Sequence, residues 1–159
     1  RIAFQTYNEE VDHLLCFVNN RISFFEQRFN TGLELYGHSQ YIGWISTQLP
    51  GNYVGSVGQN KQLEAIKISL DPNYIQGIQG NIKYQSHVSN IGWTNYVSNG
   101  DLSGTTDQSL SIEVIKINLE GNLAASYDIY YRMHIQDYGW LGGACNGQRA
   151  GSEGLAKHA

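Results

Sequence analysis

Three histidines keep a fixed distance from three tryptophans. His38 and Trp44, His87 and Trp93, and His134 and Trp140 bound the segments HSQYIGW, HVSNIGW and HIQDYGW. Imidazoles in threes suggest a metal, and carboxylates at matching positions, Glu64 and Glu113, suggest general acid–base work. Neither chemistry suits the pattern. A three-histidine metal site needs converging rings. These histidines fall on polar strand faces, alternating with Glu34, Lys83, Gln85 and Arg132, so the expectation is no metal and no cofactor. By strict alternation Glu64 shares a face with Ile66, Ile68 and Leu70, and Glu113 with Ile115, Ile117 and Leu119. A carboxylate among isoleucines needs hydrogen-bond donors. An active site has no use for a copy in each repeat, so both glutamates read as structural acceptors for backbone or indole N–H groups. No Gly-x-Ser-x-Gly, His-Glu-x-x-His or phosphate loop occurs, and Asn99, Asp101 and Asp107 form an acidic turn without calcium-loop spacing. The chain reads as no enzyme.

The elements that carry these residues repeat. The tryptophans are 49 and then 47 residues apart, a period that points to structural repeats. Gly51, Gly100 and Gly147 follow each Trp at one interval, and Gly55, Gly104 and Gly151 at another. Period-two alternation makes strands of 82–88 and 129–135, with LEAIKISL at 63–70 and IEVIKINL at 112–119 as the second long strand of the first two copies. The third copy would place its glutamate at position 160, past the last residue. Residues 8–29 read as a helix, with Asn8 as N-cap and Val11, Leu14, Leu15, Val18, Ile22 and Phe25 on one stripe. This gives an N-terminal helical segment, 1–32, and a β domain, 33–159, whose repeats run about 33–80, 81–125 and 126–159.

Composition narrows the partners. The net charge is −4 and the ten Lys and Arg are scattered, which excludes a nucleic-acid stripe. No apolar run is long enough to span a bilayer. Many Tyr and Gly with few charges suit a secreted β protein. A disulfide between Cys16 and Cys145 is possible, but two cysteines make no framework, and the preferred reading is two free, mostly buried thiols.

The stretch YQSHVSNIGWTNYVSNGDLSGTTDQSLSIEVIKINL at 84–119 resembles a ChW (clostridial hydrophobic, Trp-containing) repeat, through Tyr84, His87, Gly92-Trp93, Gly104-Thr105 and Ile112-Glu113-Val114-Ile115. The first copy matches through His38, Gly43-Trp44, Gly55-Ser56 and Leu63-Glu64-Ala65-Ile66, with Leu35 where Tyr is expected. The third matches through Tyr131, His134, Gly139-Trp140 and Gly151-Ser152. The resemblance implies an extracellular or cell-surface module appended to a larger secreted protein, with a binding role and no catalysis.

The expected fold is mainly β, three pseudo-equivalent repeats in a β-prism-like arrangement, with a β-trefoil as the alternative. Trp44, Trp93 and Trp140, with Glu64 and Glu113, are expected to anchor the repeats. The tryptophans are placed in the core, because a repeat must bury a shared face. The candidate ligand-binding residues are Tyr36, His38, Tyr41, Tyr53, His87, Tyr96, His134 and Tyr138. The expected partner is a polysaccharide or cell-wall glycan, or alternatively a surface protein.

Overall fold

The computed structural model describes residues 32–47, 53–71, 73 and 77–154. The helix expected over 8–29, and Cys16 within it, lie outside the described residues. Two hairpin-like sheets dominate. The first copy contributes β1 (Leu33–Ser39), β2 (Gly43–Thr47) and β3 (Leu63–Leu70). The second contributes β4 (Ile82–Val88), β5 (Gly92–Trp93), β6 (Val97–Ser98), β7 (Ser103–Gly104) and β8 (Ile112–Leu119). The third contributes short strands: β9 (Tyr130–Tyr131), β10 (His134–Ile135), β11 (Gly139–Trp140), β12 (Ala144–Cys145) and β13 (Ala150–Gly151). A short helix not expected from the sequence, α1 (Asn122–Ser126), joins the second and third copies and buries Leu123.

The sheets follow the orders β2-β1-β3-β7 and β13-β8-β4-β5, with β6 also on β4. Two smaller ladders pair β10 with β11 and β9 with β12. All pairings are antiparallel, and no barrel closes among the described residues. The expectation of a mainly β, repeat-built chain holds. Registers repeat as well: β1 pairs β3 from Leu33↔Leu70 to His38↔Ala65, and β4 pairs β8 from Ile82↔Leu119 to His87↔Val114. Branched Ile and Val fill the inner faces, where Ile66, Ile68, Ile82, Ile112, Ile117 and Ile135 join one core with Tyr84 and Met133. Each such aliphatic side chain contributes about 1.5–3 kcal/mol by leaving water.

Each copy locks onto the one before it. The long strand β3 receives β7 of the second copy on its free edge, and β8 receives β13 of the third. The approach demands glycine: Gly104 and Gly151 have φ of 110° and 121°, and a Cβ there would collide with the carbonyl oxygens of Glu64 and Glu113. Gly100 N–H donates to Ile68 O at 2.8 Å, and Gly147 N–H to Ile117 O at 2.8 Å. Tyrosine hydroxyls complete the joint. Tyr84 accepts from Ile68 N–H and donates to Asp101 O; Tyr131 accepts from Ile117 N–H and donates to Gln148 O. The first copy has Leu35 at this place.

The inner face differs in composition from copy to copy. Ser103 Oγ donates to Ser86 Oγ at 2.8 Å in the second copy. The same two places hold Gly37 and Val54 in the first, where a Cβ on Gly37 would lie 2.7 Å from Val54 Cγ2, and Met133 and Ala150 in the third. The third copy also touches the first. Tyr53 packs edge-on against Trp140 at 5.7 Å, and Gln136 Nε2 donates to Asn60 Oδ1 at 3.2 Å. Cys145, expected as a free thiol, is disulfide-bonded. No helix among the described residues is long and apolar enough to cross a membrane.

Candidate functional site

The outer face carries one unit three times. In each hairpin the histidine lies directly across from the tryptophan: His38↔Trp44, His87↔Trp93 and His134↔Trp140. The rings meet edge to face at 5.2, 5.4 and 5.4 Å. Nδ1 of His38 hydrogen-bonds Glu64 Oε2 at 3.0 Å, and Nδ1 of His87 bonds Glu113 Oε2 at 3.0 Å. This fixes each ring with Nε2 directed away from its own glutamate. Nε2 then meets an acid of the following copy, Asp107 at 3.8 Å from His38 and Glu153 at 3.4 Å from His87. The histidines stay within separate hairpins. One of them, with Glu64 and the exposed Asp107, offers ligand atoms within 4.8 Å of one another, but the shortest of these contacts is already the His38–Glu64 hydrogen bond.

Strict alternation put the glutamates on the isoleucine face, and that placement is wrong. A bulge interrupts the ladder between His38 and Ser39 and between His87 and Val88, so Glu64 and Glu113 are the extra residues. A bulge re-aims the side chain it carries, and here it turns each carboxylate to the histidine. The role of structural acceptor fits Glu64. It takes N–H groups from Asp107 at 3.2 Å and Ser109 at 2.6 Å, on a loop where both residues have positive φ, 58° and 55°.

The tryptophans are not in the core, contrary to expectation. Trp44 is 42% exposed and the other two are half-buried. A cation lies over each ring: Lys67 on Trp44 at 4.5 Å, Lys116 on Trp93 at 4.5 Å and Arg132 on Trp140 at 4.7 Å. Such contacts hold an indole on the surface by charge–quadrupole attraction together with its packing. What sits in the core instead is the aliphatic face beneath.

The candidate tyrosines separate. Tyr36 is half-buried and donates to Glu34 Oε2 at 3.1 Å, and that bond with the nearby negative charge raises its pKa. Tyr53 joins Trp140 and, through it, His134. Tyr96 is exposed below Lys83. Tyr41 stands at a hairpin tip, 83% exposed at φ 61°, with Lys61 over its ring. The equivalent tips hold Asn90 and Asp137 at φ 63° and 67°. Asn and Asp tolerate that conformation, whereas a bulky Tyr there is strained. Tyr138 is also exposed at its tip, and Ile91 and Ile42 occupy its place in the other copies, likewise exposed.

Ile42 and Ile91 were missed as candidates, as were the cations on the indoles. The signal was present: an apolar residue precedes Gly-Trp in all three copies, inside a turn where burial is unexpected. Also missed was a cleft of about 460 Å³ where the three copies approach, lined by Gln62, His87, Ser89, Asn90, Ser109, Ser111, Glu113 and Gly154.

The family model for Clostridial hydrophobic W matches the chain at residues 38–72, 87–121 and 134–158, each match beginning at the histidine of the unit. No curated protein and no solved structure matches the chain.

Proposed function

The chain belongs to the ChW (Clostridial hydrophobic W) family, and from that premise we propose that it is a non-catalytic module that binds a glycan or cell-wall polymer outside the cell or on its surface. The observation that carries this reading is the exposure of the three hairpin tips, where Tyr41, Ile42, Ile91 and Tyr138 lie beside the His–Trp pairs. Exposed apolar groups with neighbouring hydrogen-bonding groups suit a polymer with apolar faces and hydroxyl edges. Three tips let several weak contacts act together on one polymer. The contact between Tyr53 of the first copy and Trp140 of the third supports a prism-like closure that would present the tips on one body. A disulfide at Cys145 supports an oxidising compartment. Attachment to a larger secreted protein is part of the same reading.

A second reading has its own support. Ile42 and Ile91 are aliphatic and cannot stack on sugars, and each indole already has a cation over its ring. These features favour a surface protein as partner, in an adhesion or scaffold role. Retention on purified insoluble polysaccharide and on whole cell walls separates the two. The glycan reading expects retention on protease-treated walls, and the triple variant Ile42→Ser, Ile91→Ser, Tyr138→Ser should lose it. Retention that protease treatment of the walls abolishes would move the function to a protein partner.

A further inference from the structure

Glu64 and Glu113 hold equivalent positions, but only one of them is saturated. Glu64 receives His38 and the backbone N–H groups of Asp107 and Ser109, supplied by the loop of the following copy. In the third copy the positions equivalent to Asp107 and Ser109 are Gly154 and Ala156, the second of which lies outside the described residues. Among the described residues Glu113 then keeps a single donor, His87, on Oε2. Its side chain is nonetheless only 7% exposed, and it lines the 460 Å³ cleft. Among the described residues Oε1 has no donor, so it can accept from a ligand in the cleft.

We propose that this cleft binds one neutral sugar unit, whose adjacent hydroxyls donate to the Glu113 carboxylate in place of the N–H pair that Glu64 receives. The lining argues for the class. Ser89, Ser109 and Asn90 line it with two hydroxyls and an amide, groups that both donate and accept, as a sugar's edge requires. Glu113 and Glu153 flank His87 and would repel an anionic ligand. Among the described residues no large apolar side chain lines the cleft to take the side chains of a peptide. Its volume falls in the range of small-molecule sites, about 300–1,000 Å³. The inference rests on the glycan reading and assigns it a site away from the hairpin tips.

The test is amide-shift mapping of the whole chain against glucose, galactose, mannose and N-acetylglucosamine, with glucuronate and the peptide TTDQSL as comparisons. At least one neutral sugar should give saturable shifts at Ser109, Ser111 and Gly154, with a Kd of about 1 mM. Glu113→Ala should weaken it at least tenfold. Asn90→Gly, which keeps the positive φ and removes only the amide, should weaken it severalfold with an unchanged melting temperature. Shifts from the peptide alone, shifts from glucuronate alone, no shifts at all, or full affinity in both variants would each overturn the proposal. If the protein is still held on insoluble polysaccharide while the cleft does not respond, the cleft is wrong and the tip-based function stands. If both fail, the glycan reading falls with it.

Discussion

Tyr84→Phe is the sharpest probe of how the copies are joined. The phenol reaches from the second copy into the strand of the first, where it accepts Ile68 N–H at 3.0 Å and donates to Asp101 O. The ring is fully buried and Phe keeps its shape. Only the hydroxyl goes. Ile68 N–H is then a buried donor with no partner, at a cost of about 1–3 kcal/mol, and the lost bond to Asp101, whose carbonyl lies near solvent, adds about 0.5–1.5 kcal/mol. The sum is about 1.5–4.5 kcal/mol, a large share of the roughly 5–15 kcal/mol that holds a domain folded. For a chain of this size that lowers the melting temperature by about 3–18 °C. Urea denaturation of the variant beside Tyr96→Phe, an exposed tyrosine expected to change stability by less than about 0.5 kcal/mol, isolates the effect. A Tyr84→Phe loss no larger than that of Tyr96→Phe would mean that the hydroxyl bridge does not hold the copies together.

Three further outcomes follow from the same geometry. Glu64→Ala, which strands three donors, should destabilise by about 3–5 kcal/mol, and Glu113→Ala, which strands one, by about 1–2 kcal/mol; equal losses in denaturation would contradict the difference between the two sites. Gly104→Ala should prevent the docking of β7 on β3 and yield an insoluble or partly unfolded chain, whereas Gly43→Ala, where nothing lies within 4 Å, should cost only about 1–2 kcal/mol for its φ of 89°; soluble expression and urea midpoints decide. Burial raises the Tyr131 phenol to about 12, above its ordinary value of 10.0. The folded state holds this proton more tightly, so its contribution is complete below pH 10 and disappears as pH rises from 10 to 12. Urea midpoints should fall across that window and fall less steeply in Tyr131→Phe; parallel slopes would refute the assignment.

Much of this was legible in the sequence, and the failures have one physical origin. The period of the His–Trp segments fixed the number of copies, and the alternation in IEVIKINL fixed its strand and inner face. Alternation, however, assumes an unbroken ladder. In LEAIKISL the apolar residues run Leu63 and Ala65, then Ile66, Ile68 and Leu70, a change of phase that the bulge at Glu64 produces. IEVIKINL changes phase in the same place, so the cue was in the sequence. The tryptophans were misplaced because size was weighed without the cross-strand partner. Opposite a histidine on the outer face, with a Lys or Arg above the ring, an indole can be held without entering the core. The joint between copies was not legible at all. Tyr84 and Gly104 are far apart in the chain from the strand they meet, and only the pairing of β3 with β7 brings them to it.

The account turns on the outer face being the working surface, and tryptophan fluorescence tests that most directly. With Trp44 exposed and all three indoles outside the core, emission should be solvent-shifted and quenched readily by iodide. On titration with soluble digests of cell-wall polysaccharide it should move to a saturable end point, and the Ile42→Ser, Ile91→Ser, Tyr138→Ser variant should remain folded and give no such change. A blue-shifted emission that resists iodide and ignores every digest would return the tryptophans to the core and contradict the account.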